Sequence, residues 1–349
     1  MGWSGSLTEN SALGSSITFT PDTEIIGDYS VSSFKAPRKG VYKFVLNGSG
    51  GAKGSESNGS HTITSKSYYC QADGGEGGST TGYLLLEKDQ VVYVGCGGAC
   101  SAAFVSSVTG ANLAEISEPN LYFVAGGGGQ GGSFGESHFK TGYNCYATKG
   151  GNGGGTTGAD GEMDNLCTGG GGGTQSEGGQ PNGYESSDSV KGNAGAYGKG
   201  GLCVSNQYDT YVAISGRGGD GYYGGGSGYA YTHDSEPYSA RGYAGGGGSG
   251  FVKTANLTVR DTDYVSTTSQ GGGATSATNG SVVVSYHAKA ELPIIFNGVQ
   301  LEQLFFNGVE IESLIFNGTK LFIERVKQLL SKINGVKCHK KTSILFSQV

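Results

Sequence analysis

Proline is nearly missing from this chain of 349 residues, which has six, and so are methionine, with two, and tryptophan, with one. Scarce proline and the lack of any strict Gly-X-Y period exclude a collagen triple helix, although 69 residues are glycine. No apolar run approaches the ~20 residues that span a bilayer as a helix, so no membrane insertion is expected. Charge is sparse as well. The net charge of -6 leaves the main body without an electrostatic footprint for nucleic acid, and only the last thirty residues are locally basic. The opening Met1-Gly2-Trp3-Ser4-Gly5-Ser6 lacks the basic and apolar regions of a secretory signal, so synthesis in a cytoplasm without Sec export is expected.

Chemistry is the next absence. The seven cysteines, Cys70, Cys96, Cys100, Cys145, Cys167, Cys203 and Cys338, are irregularly spaced, with no Cys-x-x-Cys pair and no matching histidine cluster. Zinc is therefore not expected. Free, mostly buried thiols are, with a Cys96–Cys100 bridge as the alternative. Gly126-x-Gly128-x-x-Gly131 matches a dinucleotide fingerprint only against a glycine-saturated background with no helix former behind it. Gly131-x-Ser133-x-Gly135, with His138 nearby, matches a nucleophile elbow without the αβ framework that elbow requires. His61, His138, His233, His287 and His339 are scattered. Asp261-x-Asp263 lacks the rest of an EF-hand loop, and no carboxylate pair for glycoside hydrolysis is evident. The expectation is a protein that is not an enzyme, with no metal and no cofactor.

What is present is an alternation. Strand-like runs such as Val41-Tyr42-Lys43-Phe44-Val45-Leu46, Tyr83-Leu84-Leu85-Leu86 and Val91-Val92-Tyr93-Val94 carry apolar area. Residues 29–34 and 41–46 flank a Pro37/Gly40 turn and predict a hairpin, residues 79–95 predict a second around Glu87-Lys88-Asp89, and residues 120–125 and 281–286 predict further strands. Between them lie glycine blocks at 74–78, 126–132, 150–155, 169–173, 216–228, 245–250 and 271–273. Interleaved with these are polar, tyrosine-rich inserts at 56–73, 133–149, 159–167, 175–190, 203–215 and 229–243. Flexible linkers are the ordinary use of such blocks. Their short recurrence beside apolar strands points instead to three-residue-per-turn polyglycine-II helices, bundled closely enough to bond backbone to backbone.

Residues 34–45, read Phe-Lys-Ala-Pro-Arg-Lys-Gly-Val-Tyr-Lys-Phe-Val and followed by Gly48-Ser49-Gly50-Gly51, resemble the opening of the glycine-rich domain family of phage and bacterial surface proteins. Residues 74–86 and 91–98 resemble its second motif, and Phe123-Val124-Ala125-Gly126-Gly127-Gly128-Gly129 its third. The resemblance runs over residues 17–287. It implies an all-β fold: a jelly-roll-like β-sandwich carrying a polyglycine-II bundle.

Beyond it, residues 292–322 repeat every ten residues around Asn297-Gly298, Asn307-Gly308 and Asn317-Gly318. This is the strongest short-range hairpin signal and predicts a small β-meander. The repeats look like those ending many phage tail proteins. Phe322, Val326, Leu329, Leu330 and Ile333 then fall at helical spacing, predicting a short basic helix. The expected organisation is an N-terminal segment 1–16, a glycine-rich domain 17–288, a meander 289–323 and a basic amphipathic helix or tail 324–349.

Tyrosine marks the candidate contact residues. Tyr68, Tyr69, Tyr143, Tyr146, Tyr184, Tyr208, Tyr211, Tyr229, Tyr231, Tyr238 and Tyr243 fall in the inserts among Ser, Asn, Gly and Thr, the composition of binding loops. With the resemblance, they predict a tail-tip or tail-fibre receptor-binding adhesin of a bacteriophage virion. Its partners would be a host surface glycan or protein and other tail proteins. A structural tail component without receptor contact is the alternative.

Overall fold

A computed structural model describes residues 2–21, 29–58, 62–63, 68–97, 103–108, 110, 113–136, 144–209, 211–233, 239–253, 267–269, 279–289, 294–296, 299–301, 305–306 and 309–310. The chain divides into two compact units, Met1–Ala290 and Glu291–Val349. The described residues are nearly all β and build several antiparallel sheets, with short 3-10 turns at Leu113–Glu115 and Glu118–Asn120.

In the first unit, two sheets share one apolar cluster. The six-stranded sheet runs in the order Gly2–Gly5, Ser16–Thr20, Ser281–Lys289, Gly40–Asn47, Ser79–Leu86, Thr267–Ser269. The five-stranded sheet runs Phe251–Val252, Leu121–Ala125, Ala103–Ser106, Val91–Gly97, Tyr29–Lys35. Two-residue alternation explains why each strand buries one face: Ser79–Leu86 alternates half-buried and buried along its whole length. Tyr42, Phe44, Leu46, Leu86, Val282, Val284 and Tyr286 of the first sheet meet Phe34, Val92, Val94, Val105 and Phe123 of the second. Phe34 packs edge-on against Tyr42 at 5.3 Å and against Phe44 at 6.2 Å between centroids. Each such side chain contributes about 1.5–3 kcal/mol by burial, and the edge contacts add about 0.5–1.5 kcal/mol. The Tyr42 hydroxyl donates to the Arg38 carbonyl at 2.7 Å, so its polar tip is satisfied. Cys96 lies in this core, and burial pushes its thiol up to about 12.

Both predicted hairpins are corrected. Tyr29–Lys35 and Gly40–Asn47 lie in different sheets, as do Ser79–Leu86 and Val91–Gly97. The turns at 36–39 and 87–90 therefore cross between sheets. They bond to each other, Asp89 N–H to the Ala36 carbonyl at 2.8 Å and Ala36 N–H to the Gln90 carbonyl at 2.9 Å. An alternating strand pair with a turn reads the same whether it closes edge to edge or face to face. Here the facing aromatic rings decide. The predicted closing strand is present as Ser281–Lys289, seated between Ser16–Thr20 and Gly40–Asn47.

The glycine segments bond with a different rhythm. Gly48, Gly51 and Gly54 donate to the carbonyls of Gly78, Gly75 and Ala72 at 2.8, 2.8 and 3.0 Å. Ala72, Gly75 and Gly78 donate in turn to Gly132, Gly129 and Gly126. An antiparallel β ladder repeats every second residue; these bonds repeat every third. Residues 243–250 sit innermost, bonded to 126–132, 148–154, 158–161, 169–173, 216–222 and 223–228. A Cβ on Gly245, Gly246, Gly247 or Gly248 would lie 2.1, 2.2, 2.0 and 2.1 Å from the carbonyl oxygens of Arg217, Gly171, Asn152 and Asp220. Contact on every side forbids any side chain.

The register of these bonds also fixes direction. Segments 48–54, 126–132, 158–161, 178–182, 199–203 and 223–228 run one way; 72–78, 148–154, 169–173, 192–195, 216–221 and 243–250 run the other. At one end the segments join the two-sheet core directly or close through short turns at 155–157, 174–177, 196–199 and 222–223. At the opposite end emerge all the long connections, 55–71, 133–147, 162–168, 183–191, 204–215 and 229–242.

These connections were expected to be loops; much of their described length is strand. One four-stranded sheet runs Ser205–Tyr208, Tyr211–Ile214, Ser133–Glu136, Tyr68–Gln71. The other runs Asn144–Ala147, Ser239–Gly242, Ala230–His233, Ser189–Val190, its first two strands parallel. Phe134, Tyr211 and Ala213 of one join Ala230 and Ala240 of the other in a small core. Strands of two to four residues carry too little alternation to be read locally.

In the second unit, Ile294–Phe296 pairs with Val299–Leu301 and Phe305–Phe306 with Val309–Glu310. The closest partners are Phe296 with Val299 and Phe306 with Val309, as two-residue hairpin connections require. The described strands form two two-stranded sheets. The third repeat and the basic helix expected at 324–349 lie outside the described residues.

Candidate functional site

The end bearing the long connections is the candidate site. Across its parallel-containing sheet, Tyr146, Arg241, Tyr231 and Ser189 stand in one register row. Residues directly opposite share a face, and Ala230 and Ala240, one position away, turn inward to the small core. The row therefore faces outward, and two connections fold over it.

The 162–168 turn covers Arg241. Arg241 Nη1 donates to Asp164 Oδ2 and, at 2.9 Å, to Asn165 Oδ1, while the guanidinium carbon lies 4.7 Å from the Tyr146 ring centroid. The Arg241 and Asp164 side chains are 5% and 2% exposed. Asp164 Oδ1 also accepts the amides of Leu166 and Cys167 at 2.7 and 2.9 Å. Burial by itself raises the Asp164 carboxyl, but the Cys167 and Leu166 amides and the Arg241 guanidinium outweigh it and hold the pKa below the ordinary value. This fixed turn points Met163 and Leu166 outward, 66% and 47% exposed.

The 183–191 connection covers Tyr231. Tyr184 meets Tyr231 edge-on at 5.1 Å, and His233 lies parallel to Tyr231 within 12°. His233 Nδ1 is 2.6 Å from Asp188 Oδ2, and Asn206 Nδ2 donates to the Asp188 carbonyl at 2.6 Å, tying the two small sheets together. Tyr146, Tyr208, Val190 and Leu202 are further exposed apolar groups at this end among the described residues.

The structure separates the predicted tyrosines. Tyr146 and Tyr208 are exposed and Tyr184 half-buried. Tyr69 is half-buried against Ile63, Val212 and Ile214, and burial, then Glu56, pushes its hydroxyl up to about 12. Tyr211, Tyr229, Tyr231 and Tyr243 are buried, which corrects their reading as surface contacts. Tyr211 packs with Ala213, Ala230 and Ala240 in the small core. Tyr243 lies near Asp164, and burial first, then that carboxylate, raises its hydroxyl. Tyr68 is placed by its backbone in the Tyr68–Gln71 strand; Tyr143 and Tyr238 lie outside the described residues.

Sequence reasoning missed Asp164, Arg241, Met163 and Leu166. One available signal was Met163 itself, the sole methionine besides Met1, set in a polar insert. Cys70, Cys96, Cys167 and Cys203 are free, with only Cys96 fully buried; the proposed partner Cys100 lies outside the described residues. Among the described residues no cluster of His, Cys, Asp and Glu is arranged to hold a metal, and no helix is long and apolar enough to cross a membrane. Comparison with protein-family models and with curated proteins gives no match for this chain.

Proposed function

We propose that this chain is a non-enzymatic receptor-binding adhesin of a bacteriophage tail tip or tail fibre, of the glycine-rich domain type. In this reading the two large sheets form a jelly-roll-like β-sandwich and the glycine segments a polyglycine-II bundle, a rigid stem between core and contact surface. The three-residue bonding period supports the bundle, and the shared aromatic core supports the sandwich. One observation carries the function: every long connection leaves the bundle at the same end, while the other end is closed by short turns or by the core. Most side chains at that end vary at little cost to the scaffold, because the glycine segments are held mainly by backbone bonds to one another and only insert residues at the segment ends, such as Glu162, Tyr229 and Gly242, join them. Such an arrangement suits a surface that must change its partner without changing its fold.

The test is exchange of 162–168 and 183–191 for Gly/Ser segments of equal length. Binding of the purified protein to a panel of bacterial cells is expected to be lost or redirected while the protein still melts cooperatively, at a lower midpoint because the Asp164–Arg241 pair is removed. An unchanged binding profile would sink the adhesin reading in favour of a structural tail component.

A further inference from the structure

Resting on the adhesin reading, we propose that the 162–168 turn is the protein-contacting element of this surface, inserting Met163 and Leu166 into an apolar cleft on a protein partner. Two independent features meet there. Leaving a Leu and a Met in water forgoes the burial that would stabilise each by about 1.5–3 kcal/mol in a core, yet Met163 and Leu166 are 66% and 47% exposed on one short turn. That turn is also firmly anchored. Asp164 is locked to Arg241 and to the Leu166 and Cys167 amides, Asn165 bonds the same guanidinium, and the Glu162 carboxylate accepts the Lys149 amide at 3.3 Å. Ordering is thus completed before any partner arrives, the condition under which exposed apolar anchors become strong contacts.

The chemistry selects the class of partner. A thioether and an isobutyl group offer a sugar neither an aromatic face nor a hydrogen bond, whereas they fit an apolar protein cleft. Within 158–168 the charges left over from the Asp164–Arg241 pair are the carboxylates of Asp160 and Glu162, which suit a basic cleft rim and are repelled by an anionic lipid surface. Tyr146, stacked on Arg241 at the edge of the turn, extends the apolar contact.

The experiment measures binding of the fluorescently labelled full-length chain to the same cell panel, untreated, protease-shaved, or oxidised with periodate. Wild type is expected to lose binding after protease and keep it after periodate. M163S/L166S is expected to bind about tenfold or more weakly. Should the double variant melt lower, the single variants M163S and L166S carry the comparison. Double-variant binding equal to wild type, or binding lost to periodate and retained after protease, overturns the proposal. Wild type that binds no cell counts against the adhesin reading itself, a different result from either.

Discussion

Glycine is used here for what it lacks rather than for how it bends. Among the described glycines only Gly5, Gly14, Gly183 and Gly198 have positive φ. Gly198 needs that freedom, since φ is +72° and a Cβ would meet the Ala114 amide at 2.4 Å. The bundle glycines instead need a neighbour's carbonyl where a Cβ would stand. Two opposing effects bear on Gly246→Ala. Reduced chain entropy in the unfolded state favours alanine by about 0.4–1 kcal/mol. Collision with the Gly171 carbonyl at 2.2 Å, backbone against backbone, costs about 3 kcal/mol, so the collision wins. Thermal or urea unfolding should show a net loss of about 2 kcal/mol for Gly246→Ala. Glu76→Ala, on a half-buried side chain of the same bundle, should stay within about 0.5 kcal/mol.

A buried ion pair makes one connection into a fixed element. Removing one partner of such a pair costs about 3–5 kcal/mol, so Asp164→Ala should free the 162–168 turn and raise amide exchange there while the core melts as before. The pH dependence follows from direction. The folded Asp164 pKa is depressed below the ordinary 3.8, so its stabilisation is fully present above about pH 4 and is lost as the pH falls through the folded value. Exchange in this turn, taken relative to the intrinsic amide rate at each pH, should therefore be flat from neutral pH to about pH 5 and rise only in stronger acid. A rise beginning near neutrality would contradict that assignment. At this scale the strands at 29–34, 41–46, 79–86, 121–125 and 281–286 were legible, because alternation is a local property. Their partners were not: Phe34 reads the same in a hairpin as in a crossing turn, and only its contact with Tyr42 and Phe44 distinguishes them.

At the scale of the whole molecule, the chain closes its own core late. Ser281–Lys289 supplies Val282, Val284 and Tyr286 and pairs with strands from the first fifty residues. Cutting after residue 290 should leave the first unit with a cooperative melt close to that of the full chain, monitored by circular dichroism. Cutting after residue 280 should abolish that melt. The described glycine segments between the early and late strands are thereby pinned at one end and carry the inserts away from it.

The sequence by itself determined the class of fold and the alternation of strand, glycine and insert, because period-two burial and the absence of a side chain are both written residue by residue. It marked the inserts as polar, tyrosine-rich segments between the glycine blocks. It did not distinguish Tyr231 and Tyr243, which fill the interior, from Tyr146 and Tyr208, which face water, since the same ring serves either place. Only the tertiary structure decided that all the long inserts share one end, and that Arg241 and Asp164, 77 residues apart, hold Met163 and Leu166 outward. Direction along a bundle and the closing of a buried ion pair depend on which segments lie side by side, and that is set by backbone bonds common to every glycine.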